Sequence, residues 1–193
     1  MTTPADKNPA APTTNTTWDI DPAASRVEFG TRMRLMFLAK ITVVGRFTEV
    51  HGTLTGTGAE SDPSNTQVSV TIGAASLDTK QPARDKHLRS ADFFDIEHYP
   101  QLTFTSRGIE ALDPAHGQYR VTGLLTIRDV AREVSLEAWY TPQPGVEQRH
   151  TVNLTTVLDR RDFGLVWSRP TQKIADDVKI TLHIELVPAA SPA

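Results

Sequence analysis

The sequence predicts an all-β protein of about eight antiparallel strands, with a short helix after the third strand. Two observations carry this prediction. Apolar and polar residues alternate with a period of two in segment after segment, which is typical of strands that present one face to a core. These segments are rich in Val, Thr, Leu and aromatic residues, and each is bounded by Gly, Pro, Asp or Asn.

The first predicted strand, residues 26–35, places its apolar side chains on one face and its arginines on the other. The last predicted strand, residues 178–186, alternates Val, Ile and Leu with Lys, Thr, His and Glu. Between them the same pattern predicts strands at residues 43–54, 66–77, 101–110, 118–127, 133–140 and 150–158.

One interval departs from the strand pattern. Residues 82–94 combine charged residues with Leu88 in a manner that suits a short helix. Pro82 fits a first helical turn, and Thr79 is a candidate cap for the helix start. We expect this helix to break near Ser90 and to end before Pro100.

The 193 residues predict one domain over residues 18–187. Residues 1–17 and 188–193 are predicted to be disordered tails, because their Pro, Ala, Thr and Asn content buries little apolar surface. The first residues lack the charged start and apolar stretch of a secretory signal, so the expected location is the cytoplasm.

Composition excludes several classes of function. A formal net charge of -3 and a pI of about 6.1 do not fit a nucleic-acid-binding protein. The absence of cysteine excludes disulfides, thiolate catalysis and Cys-based zinc sites. The six histidines form no metal-ligand pattern, and neither a serine-hydrolase elbow nor a Gly-rich phosphate loop occurs. The sequence therefore predicts no metal, no cofactor and no catalytic residue set.

Eight antiparallel strands can form a sandwich, which leaves edges exposed, or a closed barrel, which has none. An eight-stranded barrel is just wide enough to be filled by its own side chains or to hold one small ligand. Alternation alone fits a packed core as well as a ligand cavity. The periodicity leaves these alternatives open.

Several short motifs occur in order along the chain. The most specific are Arg-Asp-Lys-His-Leu-Arg-Ser at 84–90 and Asp-Phe-Phe-Asp at 92–95. They are accompanied by Trp-Asp-Ile-Asp at 18–21, Ser-Arg-Val-Glu-Phe at 25–29, Val-Gly-Arg-Phe at 44–47, Val-Thr-Gly-Leu-Leu-Thr-Ile at 121–127 and Asp-Phe-Gly at 162–164. In this order they resemble the YceI family of lipocalin-like, polyisoprenoid-binding proteins.

The resemblance implies an eight-stranded antiparallel lipocalin-like β-barrel, with a helix beside it and a long apolar cavity. It implies binding, storage or transport of an isoprenoid or fatty-acid-type amphiphile, and no catalytic residues carry over from the family. Some family members are dimers, so a homodimer is a further expectation. The alternatives are an enzyme that acts on a small apolar substrate, and a structural or stress-response interaction module with a vestigial cavity.

Alternation and the resemblance together yield candidate site residues. The predicted cavity lining is Phe29, Met33, Leu35, Phe37, Phe47, Phe104, Leu125, Trp139 and Trp167. The predicted polar site is Arg84, Asp85 and His87, which would meet a headgroup or, in the structural alternative, would tie the helix to neighbouring strands.

Four cations lie on or between the first two predicted strands. They are predicted to form a solvated outer face, with peripheral docking to an anionic membrane as the alternative. These residues are Arg32, Arg34, Lys40 and Arg46.

Overall fold

The structure, a computed structural model, describes residues 16–35, 39–56, 63–142, 149–166 and 172–190. One α-helix, α1, covers Pro82–Arg89 within these ranges. The strands are β1 Thr16–Ile20, β2 Arg26–Leu35, β3 Ala39–Phe47, β4 Val50–Gly56, β5 Gln67–Gly73, β6 Leu77–Asp78, β7 Gln101–Asp113, β8 Gln118–Ile127, β9 Val130–Pro142, β10 His150–Asp159 and β11 Gln172–Pro188.

The strands close into an eight-stranded antiparallel barrel, which confirms the predicted fold class. β1 and β2 count as one of the eight paths around the barrel. Both pair with the same side of β11, one after the other along its length. β4 and β3 follow as the next path, pairing with β1 and β2 respectively. From β4 the ring continues through β5, β7, β8, β9, β10 and β11, and the pairing of β11 with β1 closes it.

The ends of the domain differ slightly from prediction. β1 begins at Thr16 and β11 ends at Pro188, two residues before and one residue after the limits of the predicted domain. The Ala189 amide donates to the Thr17 carbonyl at 3.0 Å, which holds the two chain ends together. Residues 1–15 and 191–193, which carry the rest of the tail predictions, lie outside the described residues.

The third predicted strand is shorter than expected. β5 stops at Gly73, where the amides of Gly73 and Ala74 donate to Glu49 and Pro100 carbonyls instead of continuing the β5 ladder. Residues 74–76 then form a 3₁₀ turn, and the two-residue strand β6 pairs with the end of β3. This path carries the chain to α1 beside one end of the barrel.

An aromatic cluster fills the barrel end nearest α1. Phe47 lies between Phe29 and Phe94, with ring centroids 5.6 and 5.7 Å apart. The Arg128 guanidinium, on the turn between β8 and β9, donates to the Phe93 carbonyl at 3.3 Å. Because buried side chains pack closely here, this end is plugged by protein atoms.

Gly123 on β8 provides the space that a neighbouring aromatic ring occupies. A Cβ atom at this position would lie 2.5 Å from Phe104 Cζ and 2.5 Å from the Thr105 carbonyl oxygen. Both contacts are shorter than van der Waals contact. The carbonyl belongs to the hydrogen-bonded backbone of β7, so moving it away from the added Cβ atom would cost stability. Only glycine fits against Phe104 in this geometry.

Gly123→Ala should therefore destabilise the barrel by about 1–3 kcal/mol. Gly108→Ala is the matched control, because a Cβ atom there meets nothing within 4 Å. That control should leave stability unchanged or raise it by about 0.4–1 kcal/mol. Urea unfolding of both variants tests the difference, and equal midpoints would contradict the steric account.

Candidate functional site

The interior of the barrel contains a cavity of about 240 Å³. A single water molecule needs only roughly 10–15 Å³ on the same basis, so the space is large enough for a ligand. β1, β2, β4, β5 and β7–β11 all contribute to its wall. The wall is mainly aliphatic, and includes Ile20, Val27, Leu54, Val68, Val70, Ile72, Val121, Leu125, Val134, Leu136, Val152, Leu154, Leu158, Ile180, Leu182, Ile184 and Leu186.

Strand alternation produces this apolar wall. On β9, Leu136 and Ala138 are buried and line the cavity, whereas Ser135 and Glu137 are exposed on the outside. The same parity holds on β11 from residue 180 to residue 186, a stretch of roughly 20 Å along the strand. A period of two thus gives a continuous oily inner surface under a polar outer one.

Two of the predicted lining residues, Phe104 and Leu125, do line the cavity. They are cross-strand partners on β7 and β8, so they form one adjacent patch of wall. Leu35 ends β2, but its side chain is not described, and Phe37 and Trp167 lie outside the part of the chain that the structure describes.

Other predicted lining residues are placed elsewhere. Phe29 and Phe47 belong to the aromatic cluster that plugs the barrel end and do not line the cavity. Met33 lies where β2 extends beyond the closed ring, between Ile41 on β3 and Ile174 on β11. The prediction that these three line the cavity was wrong. The inward face of one barrel path passes first along the cavity, then through the aromatic cluster, and then beyond the closed ring, so inward residues have different surroundings.

Trp139 was also wrongly placed inside. Its side chain is 37 % exposed, since its neighbours Ala138 and Tyr140 take the inward positions of β9. Side-chain size suggested an interior position, but strand parity decides which face a residue occupies. The exposed Glu133 and Glu137, at the same parity as Trp139, were the sequence signal for its outward direction.

The predicted polar site is a structural clamp between α1 and Thr79, the residue that follows β6. The buried Asp85 carboxylate accepts hydrogen bonds from the Thr79 amide, at 3.0 Å, and from the Thr79 hydroxyl. Arg84 donates from Nε to Thr79 Oγ1 at 2.7 Å and from Nη2 to the Thr79 carbonyl at 2.8 Å. We call Thr79, Arg84 and Asp85 the helix clamp. None of its members lines the cavity. The geometry therefore fits the alternative in which these residues tie the helix to the neighbouring strand region rather than meet a headgroup.

The start of α1 and the position of His87 both differ from the prediction. Thr79 does not cap α1; the residue before the helix is Gln81, with no side-chain cap, while Pro82 starts the first turn as predicted. His87 binds the Asp92 carboxylate at 3.0 Å and packs edge-on against Phe93, so it orders the loop after the helix. His87 does not line the cavity either.

A polar cluster at the opposite end of the cavity was missed by the sequence analysis. Trp18, Tyr119, Tyr140 and His150 all line the cavity where β1, β8, β9 and β10 meet its end away from α1. We call these four residues the polar rim. The signal was present: His150 stands in the same alternation as Val152 and Leu154 and is therefore a polar residue on an apolar face.

The rim residues contact one another. Tyr140 Oη and His150 Nδ1 lie 2.8 Å apart in a hydrogen bond, and the two rings are 5.4 Å apart. The indole of Trp18 meets the His150 ring edge-on at 5.8 Å. The Trp18 Nε1–H group is buried without an acceptor among the described residues.

Burial sets the protonation of the rim. It lowers the pKa of the His150 imidazole, because the low-dielectric wall disfavours the charged form. Burial, together with the nearby Tyr119, raises the pKa of the Tyr140 phenol. At neutral pH both groups are therefore uncharged and can exchange hydrogen bonds.

Two histidines should titrate on opposite sides of the ordinary value of about 6.5. Burial lowers the pKa of His150, whereas the Asp95 carboxylate, which hydrogen-bonds His98, raises the pKa of that exposed ring. The His150 contribution to folding stability is thus complete above pH ~6.5 and is lost as pH falls through its folded pKa. The His98 contribution is complete below pH ~6.5 and is lost as pH rises through its folded pKa.

NMR titration of the histidine ring protons measures both midpoints directly. His150→Gln and His98→Gln assign the two resonances. A His150 midpoint at or above that of His98 would contradict the buried, uncharged rim.

Among the described residues, no group of three or more His, Asp or Glu side chains is placed to hold a metal ion. No helix in the same part of the chain has the length and apolar character needed to cross a bilayer.

The fold and the apolar interior together define a ligand-binding type of β-barrel. The sequence profile of the YceI-like domain matches residues 18–186, nearly the whole barrel, and the chain therefore belongs to the YceI-like family. Protein YceI of Escherichia coli O157:H7 is 34% identical over 140 residues, which cover 68% of this chain and 71% of that protein. Protein YceI of Salmonella newport is 39% identical over the same length and coverage.

Solved structures share the architecture. BcnA of Burkholderia cenocepacia superposes with a TM-score of 0.72 at 25% identity, over 86% of this chain and 98% of BcnA. The YceI protein of Campylobacter jejuni gives 0.70 at 27% identity, over 80% and 89% of the two chains. A polyisoprenoid-binding domain from Saccharophagus degradans gives 0.63 at 15% identity, over 90% and 99%, and shares the fold.

Proposed function

We propose that this protein binds an amphiphilic lipid with an isoprenoid-type tail in the barrel cavity, and stores or carries that lipid. The observation that carries the proposal is the continuous aliphatic wall around a cavity of about 240 Å³. Family membership supports it, as does the shared fold of a domain described as polyisoprenoid-binding.

The energetics favour long tails. Each methylene group moved from water into the apolar wall contributes roughly 0.8 kcal/mol. Association and ordering cost about 4–15 kcal/mol, so a tail of a few carbons would barely bind. A tail with roughly ten or more buried carbons reaches useful affinity. A branched isoprenoid suits this interior because its methyl groups contact the Val, Leu and Ile side chains of the wall.

Binding, rather than catalysis, fits the composition of the wall. The ionisable side chains that line the cavity in the described residues are His150, Tyr119 and Tyr140. Acid–base or nucleophilic chemistry on a small substrate usually adds a carboxylate, lysine, serine, threonine or cysteine within reach of such a base. The described lining residues include no carboxylate, lysine, serine or cysteine, and His150 hydrogen-bonds Tyr140 rather than any of the lining threonines Thr53, Thr66 and Thr156. A non-enzymatic role remains a prediction, as do the cytoplasmic location, the homodimer and the peripheral membrane contact.

Displacement of a fluorescent apolar probe by prenyl alcohols of increasing length tests the proposal. Affinity should rise with each added isoprene unit until the cavity is filled, and then level off. A series in which affinity does not depend on tail length would contradict tail binding in the barrel. Straight-chain alcohols of matched carbon number form the comparison set for the branched tail.

A further inference from the structure

We propose that the polar rim selects an uncharged headgroup that carries a hydrogen-bond acceptor, such as a carbonyl oxygen, and discriminates against phosphate and carboxylate headgroups. This inference rests on the proposed function, since it assumes that the lipid tail occupies the aliphatic cavity. It concerns the class of headgroup that the cavity end recognises. Three observations lead to it.

The first observation is an unsatisfied donor. The Trp18 side chain is 9 % exposed, and its Nε1–H has no acceptor among the described residues. An indole nitrogen can only donate, so this group needs an acceptor that the described residues do not supply. Trp18 lines the cavity and its Nε1–H is covered by neighbouring atoms, so a ligand oxygen at the rim would accept from it once the indole turns toward the cavity.

The second observation concerns charge. No lysine or arginine lines the cavity among the described residues. Two arginines near the rim are already engaged on the outside of the barrel: Arg149 pairs with Asp21 at 3.2 Å, and Arg120 with Glu110 at 2.9 Å. An anionic headgroup buried at the rim would therefore lose its hydration without gaining a cation.

The third observation is the protonation of the remaining rim groups. His150 is held uncharged by burial, and Tyr140 keeps its hydroxyl proton. Tyr140, Tyr119 and the neutral imidazole can therefore exchange hydrogen bonds with a neutral headgroup. They supply no positive charge to hold a phosphate.

The test compares ligands that share one tail. Geranylgeranial, geranylgeranyl diphosphate and the matching tail hydrocarbon carry the same twenty-carbon chain, and their binding is measured by probe displacement at pH 7. We expect the aldehyde to bind about tenfold tighter than the hydrocarbon, and the diphosphate to bind more weakly than the aldehyde by at least that factor. Equal or tighter binding of the diphosphate would overturn the inference.

Variants of the rim locate the effect. Trp18→Phe removes the donor and keeps an aromatic ring, so the advantage of the aldehyde over the hydrocarbon should fall severalfold. Tyr140→Phe, which removes only one oxygen, provides an independent second variant if Trp18→Phe does not fold. Trp139→Phe is the matched control, because that indole faces outward, and it should leave the advantage unchanged. An unchanged aldehyde advantage in both rim variants would overturn the assignment.

Binding of the hydrocarbon distinguishes a failure of headgroup selection from a failure of tail binding. If the hydrocarbon binds but headgroups make no difference, selection at the rim fails while tail binding stands. If no twenty-carbon ligand binds, the proposed function itself fails.

Discussion

Replacing Ala138 with phenylalanine should abolish high-affinity lipid binding while leaving the barrel folded. Ala138 is buried at 3 % exposure, lines the cavity, and lies between Tyr119 on β8 and Leu154 on β10. A phenyl ring built at this position enters the space that the tail would occupy. If it displaces about four methylene groups, the loss is roughly 3 kcal/mol, or about 200-fold in affinity.

The neighbouring Glu137 supplies the control for this prediction. Its side chain is exposed on the outer face of the same strand, so Glu137→Phe adds the same ring without filling the cavity. Affinity for a prenyl alcohol should be unchanged in Glu137→Phe and lost in Ala138→Phe, with circular dichroism and urea midpoints confirming that both are folded. Full affinity in a folded Ala138→Phe would place the ligand somewhere other than the cavity.

Replacing Asp85 with alanine should cost about 3 kcal/mol of folding stability. The carboxylate accepts hydrogen bonds from the amide and the hydroxyl of Thr79, and Asp85 is the one charged residue among the buried residues that the structure describes. Truncation leaves the Thr79 amide without an acceptor and removes the Asp85 half of the helix clamp, while Arg84 still donates to Thr79. For a domain of this size the melting temperature should fall by roughly 6–12 °C.

Asp92→Ala distinguishes this buried carboxylate from an exposed one. Asp92 pairs with His87 on the surface, and the cost of losing an exposed pair is about 0–1 kcal/mol. The folded Asp85→Ala variant, measured well below its melting temperature, should also bind a prenyl alcohol as the unmodified protein does. A large loss of binding with little loss of stability would restore Asp85 to a headgroup role and contradict the helix clamp.

The strands were predictable because a half-buried strand requires apolar and polar residues to alternate along the sequence. The eight predicted segments correspond to the eight paths of the barrel, and Pro82 begins α1 as expected. The end of β5 was not predictable, because it depends on the Glu49 and Pro100 carbonyls that receive the Gly73 and Ala74 amides from other parts of the chain.

The candidate site was predicted only in part. Phe104 and Leu125 were found because alternation and bulk agreed at those positions. Trp139 was misplaced because its large side chain suggested a buried position, although its place in the strand alternation puts it on the outer face. The plug role of Phe47 could not be read locally, since the same inward face leads both to the cavity and to the aromatic cluster at its end.

The polar rim required the register of strands that are distant in sequence. His150 and Trp18 are 132 residues apart, and only the closure of β11 onto β1 brings them to ring contact. Polar residues on apolar strand faces are therefore the positions to examine first in barrels of this kind.

Native mass spectrometry of the protein, purified without detergent, tests most directly whether an oily space inside the ring of strands holds a lipid tail. The mass of the intact chain should carry an increment of one lipid molecule, and that increment should disappear on denaturation and be absent from Ala138→Phe. A spectrum that contains only the bare chain, before and after incubation with a twenty-carbon prenyl alcohol, would contradict it.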